Sequence, residues 1–386
     1  MPRIAWLLAI LVVVPASADE PLDGREGRQL LLENFRPQPA LKVKATELAA
    51  AKFPVIDVHT HFRLKLRMEE QLDDFVRVMD RNRIAMCVSL DGRLGEELTE
   101  HIRFLGKYPD RFAVLANIDW RGAGKADDPA TWDLHSADFG RRMAEALRDA
   151  KKRGAVGLKI FKDFGLTIKN PDGSLVRVDD ERWDPIWEAC GELGFPILIH
   201  TADPIAFFEP IDEKNERWEE LHRHPDWSFH GAGFPTHRAL LDQLMAVVKR
   251  HPKTNFIAAH LANSGEDFSQ LSEWLDAYPN LYVDIASRIN ELGRQPYSAR
   301  TFLMRYQDRV LFGTDGPWPQ TRLRLYWRFL ETDDEYFPYS EKDFPPQGLW
   351  QIYGVYLPDE TLGAFYSQNV LRLMPALTKS YEKFGK

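Results

Sequence analysis

The chain has 386 residues, 44% hydrophobic and 28% charged, which is ordinary globular composition with length for a large core. Its net charge of −8 leaves no strong basic field, so nucleic acid is excluded as a natural partner. Two cysteines, Cys87 and Cys190, offer no thiolate metal cluster and read as buried free thiols in a core that needs no disulfide.

The N-terminus reads as a processing segment. Arg3 precedes an apolar run from Ile4 to Val14, then Pro15-Ala16-Ser17-Ala18. That is an n-region, an h-region and an Ala-x-Ala site, with a signal peptide expected over 1–18. The run is short for a membrane span and no later stretch is long and apolar enough; a retained anchor is the alternative. The expected mature protein is exported, periplasmic or secreted, and soluble, with no membrane partner after cleavage. Residues 19–52 read as an arm on the main domain, with short helices over 26–35 and 46–52. The main domain is expected over 53–386.

From residue 55, β-rich runs alternate with amphipathic stretches. The runs are 55–62, 84–90, 112–119, 156–161, 196–201, 255–261, 281–287 and 310–315. Helices are expected over 68–82, 139–153, 184–193, 239–250 and 268–278. This alternation implies parallel pairing through right-handed crossovers. Eight such units close into an α/β fold of the (β/α)₈ type, a TIM barrel. The alternative is an open doubly wound sheet, but no Gly-rich phosphate turn follows the first run.

Two connections are long: 202–238 after the fifth strand and 316–357 after the eighth. Their aromatic residues, among them Trp218, Trp227, Trp318 and Trp327, argue against disorder. Both leave the C-terminal ends of strands, where barrel active sites lie. They read as lids over a small-molecule substrate, the alternative being a homodimer interface. Residues 358–373 read as a closing helix.

The chemistry lies at the strand ends. His59 and His61 stand two apart in a strand and project to one side. Such a pair either holds a borderline metal ion or is a hydrogen-bonded coincidence. The fifth run ends in His200, the sixth in His260 and the eighth in Asp315. Four of the 11 histidines thus fall where a closed barrel gathers its strand ends. Imidazoles and a carboxylate converging on one point suit zinc, or another divalent ion such as manganese, with a position open to water. Asp57 shares the face of the His pair, either as an acceptor fixing a His tautomer or as an inward barrel carboxylate.

On these residues the chain resembles the amidohydrolase superfamily. The matching features are Asp57-Val58-His59-Thr60-His61, then His200, His260 and Gly313-Thr314-Asp315, in that order along residues 55–374. The nearest branch in pattern is the amidohydrolase-related one that includes aminocarboxymuconate-semialdehyde decarboxylase and related lactonases. The resemblance implies that His59, His61, His200 and Asp315 bind one metal ion, zinc foremost. Asp315 would also be the catalytic base, then acid. His260 would be catalytic, stabilising charge on the substrate or orienting water, or would sit at a second ion.

Lys159 occupies the strand where two-metal relatives carry a bridging carboxylated lysine. The single-metal branch needs no bridge, so Lys159 is expected first as a substrate or structural charge. Arg63, Arg288 and Trp318 are further substrate-binding candidates, since a guanidinium binds carboxylate bidentately. Arg217, Trp218 and Asp203 are substrate contacts or packing residues. His222, His224, His230 and His237 are expected in lid or solvent contacts. The expected function is metal-dependent hydrolysis of a small ester, lactone or amide. The alternative is non-oxidative decarboxylation of a small carboxylic acid. A binding protein that kept the barrel without turnover is a third reading, disfavoured by the intact ligand set.

Overall fold

A computed structural model describes residues 30–384, apart from 32, 33, 36, 67 and 343–345. The leader expected over 1–18 lies outside the described residues, as does most of the helix expected over 26–35. The chain divides into a unit ending at Lys42 and one beginning at Val43. In the first, the Leu31 carbonyl accepts from the N–H groups of Asn34 and Phe35 at 2.9 and 3.1 Å, a single turn.

The helix expected over 46–52 does not form. Thr46 instead donates its N–H and hydroxyl to Asp334 at 2.6 and 2.7 Å, and the Lys52 N–H reaches Glu331 at 2.9 Å. Tertiary acceptors thus take donors that a helix would leave unsatisfied in its first turn, and local propensity is overridden.

The barrel strands are Val55–Thr60, Ile84–Ser89, Phe112–Val114 continuing as Ala116–Asn117, Leu158–Ile160, Ile197–Ile199, Phe256–Ala258, Leu281–Asp284 and Val310–Leu311. Each pairs in parallel with the next in sequence. The third is broken at Leu115, whose N–H reaches the Ser89 carbonyl at 2.9 Å, while the Ala116 N–H reaches the Gly157 carbonyl at 2.9 Å on the other side. The first and last strands also meet. Val58 donates to the Phe312 carbonyl at 3.1 Å and Asp315 to the His59 carbonyl at 2.9 Å. These bonds close the ring, and the fold is a TIM barrel.

Helices Glu69–Arg81, Gly95–Leu105, Phe139–Arg153, Asp184–Leu193, His237–Arg250, Phe268–Ala277 and Pro296–Arg305 follow the first seven strands. Leu72, Phe75, Val76 and Met79 show how they pack: positions i, i+3, i+4 and i+7 form one buried stripe. The expected closing helix is present as Asp359–Gly363, a π-helical turn Ala364–Gln368 and Asn369–Leu373.

A second apolar cluster gathers Ile56, Val58, Leu198, Ile257 and Leu311 with Val370, Leu373 and Leu377 of the C-terminal segment. The Tyr381 hydroxyl reaches the Pro54 carbonyl at 3.2 Å and Lys383 reaches Asp110 at 2.6 Å. Both acceptors lie where strands begin, so the C-terminal segment covers the N-terminal end of the barrel. The opposite mouth is left to the long connections. They contain Gln320–Glu331 and Trp218–Arg223 and bury Phe207, Phe208, Phe337 and Tyr339. Among the described residues, no helix is long and apolar enough to cross a membrane.

Candidate metal centre

The first strand delivers two buried imidazoles to the mouth, and each is held from behind by a carboxylate. His59 Nδ1 lies 2.9 Å from Asp284 Oδ2, and His61 Nδ1 lies 2.7 Å from Asp91 Oδ1. An ionised carboxylate only accepts, so each Nδ1 carries its proton and each Nε2 is turned toward the mouth. Both Nε2 atoms face one oxygen: Asp315 Oδ1 is 3.3 Å from His61 and 3.7 Å from His59. The three donor atoms lie within 4.8 Å of one another, the separation expected of ligands around one ion at about 2 Å from each.

Asp284 is fully engaged. Its Oδ1 accepts from the N–H groups of His260 and Ala286, both at 3.0 Å, while Oδ2 holds His59. It also sits within 4.8 Å of His59 and His260 as a second group of potential ligands. Its existing bonds make it a junction that orients two imidazoles and the backbone between them. That backbone departs from the strand expected through residue 261. His260, Leu261, Ala262 and Asn263 all take left-handed φ, from 58° down to 49°, at about 1–2 kcal/mol per residue. The Asn263 amide, bonded to the carbonyls of Thr201 and Ala202 at 2.9 and 3.1 Å, helps hold this turn.

His260 Nδ1 donates to the Ala286 carbonyl at 2.8 Å. Its ring lies 4.7 Å from that of His59 and 4.5 Å from that of His200. His200 therefore stands one imidazole beyond the His59–His61–Asp315 group. Its Nε2 is buried without a hydrogen bond, 3.5 Å from Asp203 Oδ1, and Lys162 bonds the other Asp203 oxygen at 2.6 Å.

Burial sets most of the protonation preferences here. It keeps His59 below its ordinary range and brings His200 down to about 4. Burial, with His200 and Arg288 nearby, holds His260 well below its ordinary value. Neutral imidazole is the ligating form. His61 is the exception: Asp315 and Asp91 outweigh its burial and raise it above its ordinary range, and its cationic form, with the neighbouring imidazoles, holds the Asp315 carboxyl well below the usual range although burial opposes ionisation. The donor set, with an orphaned buried His200 Nε2 beside it, fits a divalent ion.

Asp57 has a different role from the His acceptor considered in the sequence. It accepts from the N–H groups of His59 and Thr314 at 3.0 and 3.1 Å, and from the Thr314 hydroxyl at 2.5 Å. It clamps the first strand to the eighth, and burial pushes its pKa up to about 7. Asp91 and Asp284 do the work on the imidazoles instead. Their sequence signal was a carboxylate directly after an apolar run for Asp91 and inside the run 281–287 for Asp284.

Arg63 is engaged elsewhere. Its Nε donates to the Asp91 carbonyl at 3.1 Å, and its two terminal nitrogens to Glu97 at 3.2 and 2.6 Å. It braces the loop carrying Asp91, and those three donors are closed to substrate. Arg288 is buried beside the mouth, bonded to the Ser287 carbonyl at 2.9 Å and to Asn263. Ser287 donates to Asp315 Oδ2 at 3.3 Å. Trp318 donates to the Thr314 carbonyl at 2.8 Å, with Lys65 Nζ 4.4 Å from its ring. Lys65 in turn reaches the Asp315 carbonyl at 2.6 Å, so this pair supports the backbone of the eighth strand end.

Lys159 is fully buried and its Nζ has no hydrogen-bond partner, lying 5.4 Å from the Phe161 ring centroid; burial lowers its pKa to about 8. It lines a cavity of about 440 Å³ with Asp91, Asn117 and Phe161. In the lids, Arg217 is fully buried against Glu220 and Glu291, a structural tie. His222 and His224 stack on Trp218 and Trp227 at 4.5 and 4.1 Å. His230 and His237 bond backbone carbonyls at 3.0 and 2.9 Å.

Three solved structures illustrate what the chain is similar to. A TIM-barrel protein from Bordetella bronchiseptica is 15% identical, with a TM-score of 0.49 over 84% of this chain and 99% of that one. The 4-oxalomesaconate hydratase of Rhodopseudomonas palustris is 15% identical, with a TM-score of 0.49 over 86% and 98%. The 2,6-dihydroxybenzoate decarboxylase from Rhizobium is 13% identical, with a TM-score of 0.48 over 84% and 99%. No curated protein matches the chain. A family model described as amidohydrolase matches residues 56–375, from the first strand to the C-terminal plug, and the chain therefore belongs to the amidohydrolase family of enzymes.

Proposed function

We propose that this enzyme is a metal-dependent hydrolase of a small ester, lactone or amide. His59, His61 and Asp315 would hold one divalent ion, zinc foremost, with His200 the fourth candidate. The observation that carries the reading is the convergence of two oriented Nε2 atoms on one Asp315 oxygen, at 3.3 and 3.7 Å. Such an ion, when bound, lowers the pKa of water toward neutrality and polarises a carbonyl.

The chain's own groups supply the rest. Asp315 is placed to accept a proton from water and return it to the leaving group. The neutral His260 ring donates from Nδ1 to Ala286, which leaves Nε2 an acceptor. It therefore orients water, and does not act as a donor to a developing oxyanion. The buried Arg288, beside Ser287 and Asp315, is the donor suited to negative charge on the substrate.

Arg288 also favours the second reading, non-oxidative decarboxylation, because a buried guanidinium suits a carboxylate. A panel of lactones, esters, amides and aromatic acids incubated in H₂¹⁸O separates the two. Label entering the product without carbon dioxide supports hydrolysis. Stoichiometric carbon dioxide without label supports decarboxylation, and neither outcome on any substrate overturns both. The leader-like start supports export, and an exported protein beginning at Asp19 is the result that supports it.

A further inference from the structure

The cavity beside the metal cluster gathers cationic side chains that the protein does not all satisfy with hydrogen bonds. Its lining includes Arg63, Arg93, Arg121, Lys159 and Lys162 against Asp91, Asp119 and Asp163. Most of the acids are engaged. Asp91 holds the His61 ring at 2.7 Å, and Asp119 accepts from the N–H groups of Arg121 and Gly122 at 3.0 and 3.1 Å. Two of the cations are engaged as well: Arg63 with Glu97 at 3.2 Å and Lys162 with Asp203 at 2.6 Å. Among the described residues Arg93, Arg121 and Lys159 make no side-chain hydrogen bond, although Asp284, Asp315, Asp91 and Asp163 all act electrostatically on the Lys159 ammonium.

Lys159 Nζ is the decisive member. It is 1% exposed and has no hydrogen-bond partner, with the Phe161 ring 5.4 Å away, so its three N–H groups have left water without a hydrogen bond to replace it. The other two are held in place from behind. The Arg121 guanidinium lies 4.8 Å from the Trp132 ring centroid, an arrangement that leaves its N–H edge available. Arg93 takes a left-handed φ of 63°. Asn117 pins it there, accepting the Arg93 N–H at 2.8 Å and donating its own N–H to the Arg93 carbonyl at 3.2 Å. These residues come from the second, third and fourth strands and the turns that follow them.

We propose that Arg93, Arg121 and Lys159 form a subsite for a carboxylate that serves as a recognition handle, separate from the bond that reacts. The substrate class is then an organic acid that keeps this carboxylate through turnover. The inference rests on reading the cavity as the substrate pocket of the metal centre. An Arg pair with a buried ammonium matches a carboxylate in both charge and fork geometry.

The test is calorimetric titration of the protein as isolated with benzoate, phenylacetate, isophthalate and glutarate, each beside its neutral amide. At least one acid is expected to bind ten-fold or more tightly than its amide. In Arg93→Gln/Arg121→Gln that preference falls toward one, with metal content unchanged, and Arg93→Lys/Arg121→Lys restores part of it. Lys159→Met lowers it independently. No preference for any acid, or a preference unaltered in the double Gln variant, overturns the proposal. Metal content measured on the same samples separates the two readings. A protein that takes up no metal even after reconstitution with zinc or manganese, yet still shows an Arg-dependent preference, keeps the subsite and removes the hydrolase reading.

Discussion

The two ends of the barrel are built from the same strands and solve opposite problems. The first strand gives Ile56 and Val58 to the apolar plug, then His59 and His61 to the mouth. The fifth gives Leu198 and then His200, the sixth Ile257 and then His260, the eighth Leu311 and then Asp315. At the plug, each buried side chain contributes the usual hydrophobic stabilisation of about 1.5–3 kcal/mol. At the mouth, burial works against the groups it encloses: it depresses His59, His200 and Lys159 and leaves His200 Nε2 and Lys159 Nζ without hydrogen-bond partners. Stability is concentrated where there is no chemistry, and the chemical end is tolerated because the other end is strong.

Breaking the chemical end should produce the largest effect. Asp315→Asn is expected to reduce kcat/KM by about 10³ or more, since it removes both a ligand and the proton acceptor. Its melting temperature should fall only modestly, because the Asp315 side chain is 32% exposed and Asn keeps its volume. A loss of activity matched by unfolding would contradict the separation. The reverse experiment comes next: Ile257→Ala in the plug should cost about 2–5 kcal/mol in denaturant unfolding with the metal stoichiometry intact.

A smaller effect comes from His101, which is buried and takes a 2.8 Å hydrogen bond with Ser89 at the end of the second strand. Burial and the nearby Arg63 lower its pKa from 6.5 to about 4. The unfolded chain binds this proton below about 6.5 and the folded chain only below about 4. The stability contribution is therefore complete above that window and is lost as pH falls through it, by about 3 kcal/mol in all. His101→Gln should flatten the pH dependence of unfolding between those limits; an unchanged slope would place the acid sensitivity elsewhere. The finest distinction concerns Asp91 and Asp284. Replacing either by Asn should weaken metal affinity by about 10–100-fold, read by competition with a chelator, with Asp284→Asn also destabilising because Asp284 holds the His260–Asn263 turn.

Much of this was legible in the sequence. The alternation of β-branched runs with 3.6-period stretches located all eight strands, because burial on both faces of a barrel strand leaves an unbroken apolar signature. The His and Asp residues at strand ends were visible for the same reason: each interrupts such a run. Asp91 and Asp284 carried the same mark, but a lone carboxylate in a strand has no spacing to distinguish a metal ligand from the acceptor behind it. The left-handed turn at His260–Asn263 contains no glycine, so nothing local announced it; Asp284 and Asn263 hold it through contacts remote in sequence. The helix expected over 46–52 does not form, and Arg63, expected to face substrate, has three of its donors engaged. In both, donors that looked free along the chain were taken by Asp334, Glu331 and Glu97 from far away.

The central claim is that His59, His61 and Asp315 form one metal site, and elemental analysis of protein purified without chelator or affinity metal tests it most directly. About one equivalent of zinc or manganese per chain is predicted for the wild type, with near-complete loss in His59→Ala/His61→Ala and retention in Ile257→Ala. A wild type that binds no metal even after reconstitution, or a double variant that keeps its full complement, would contradict the account.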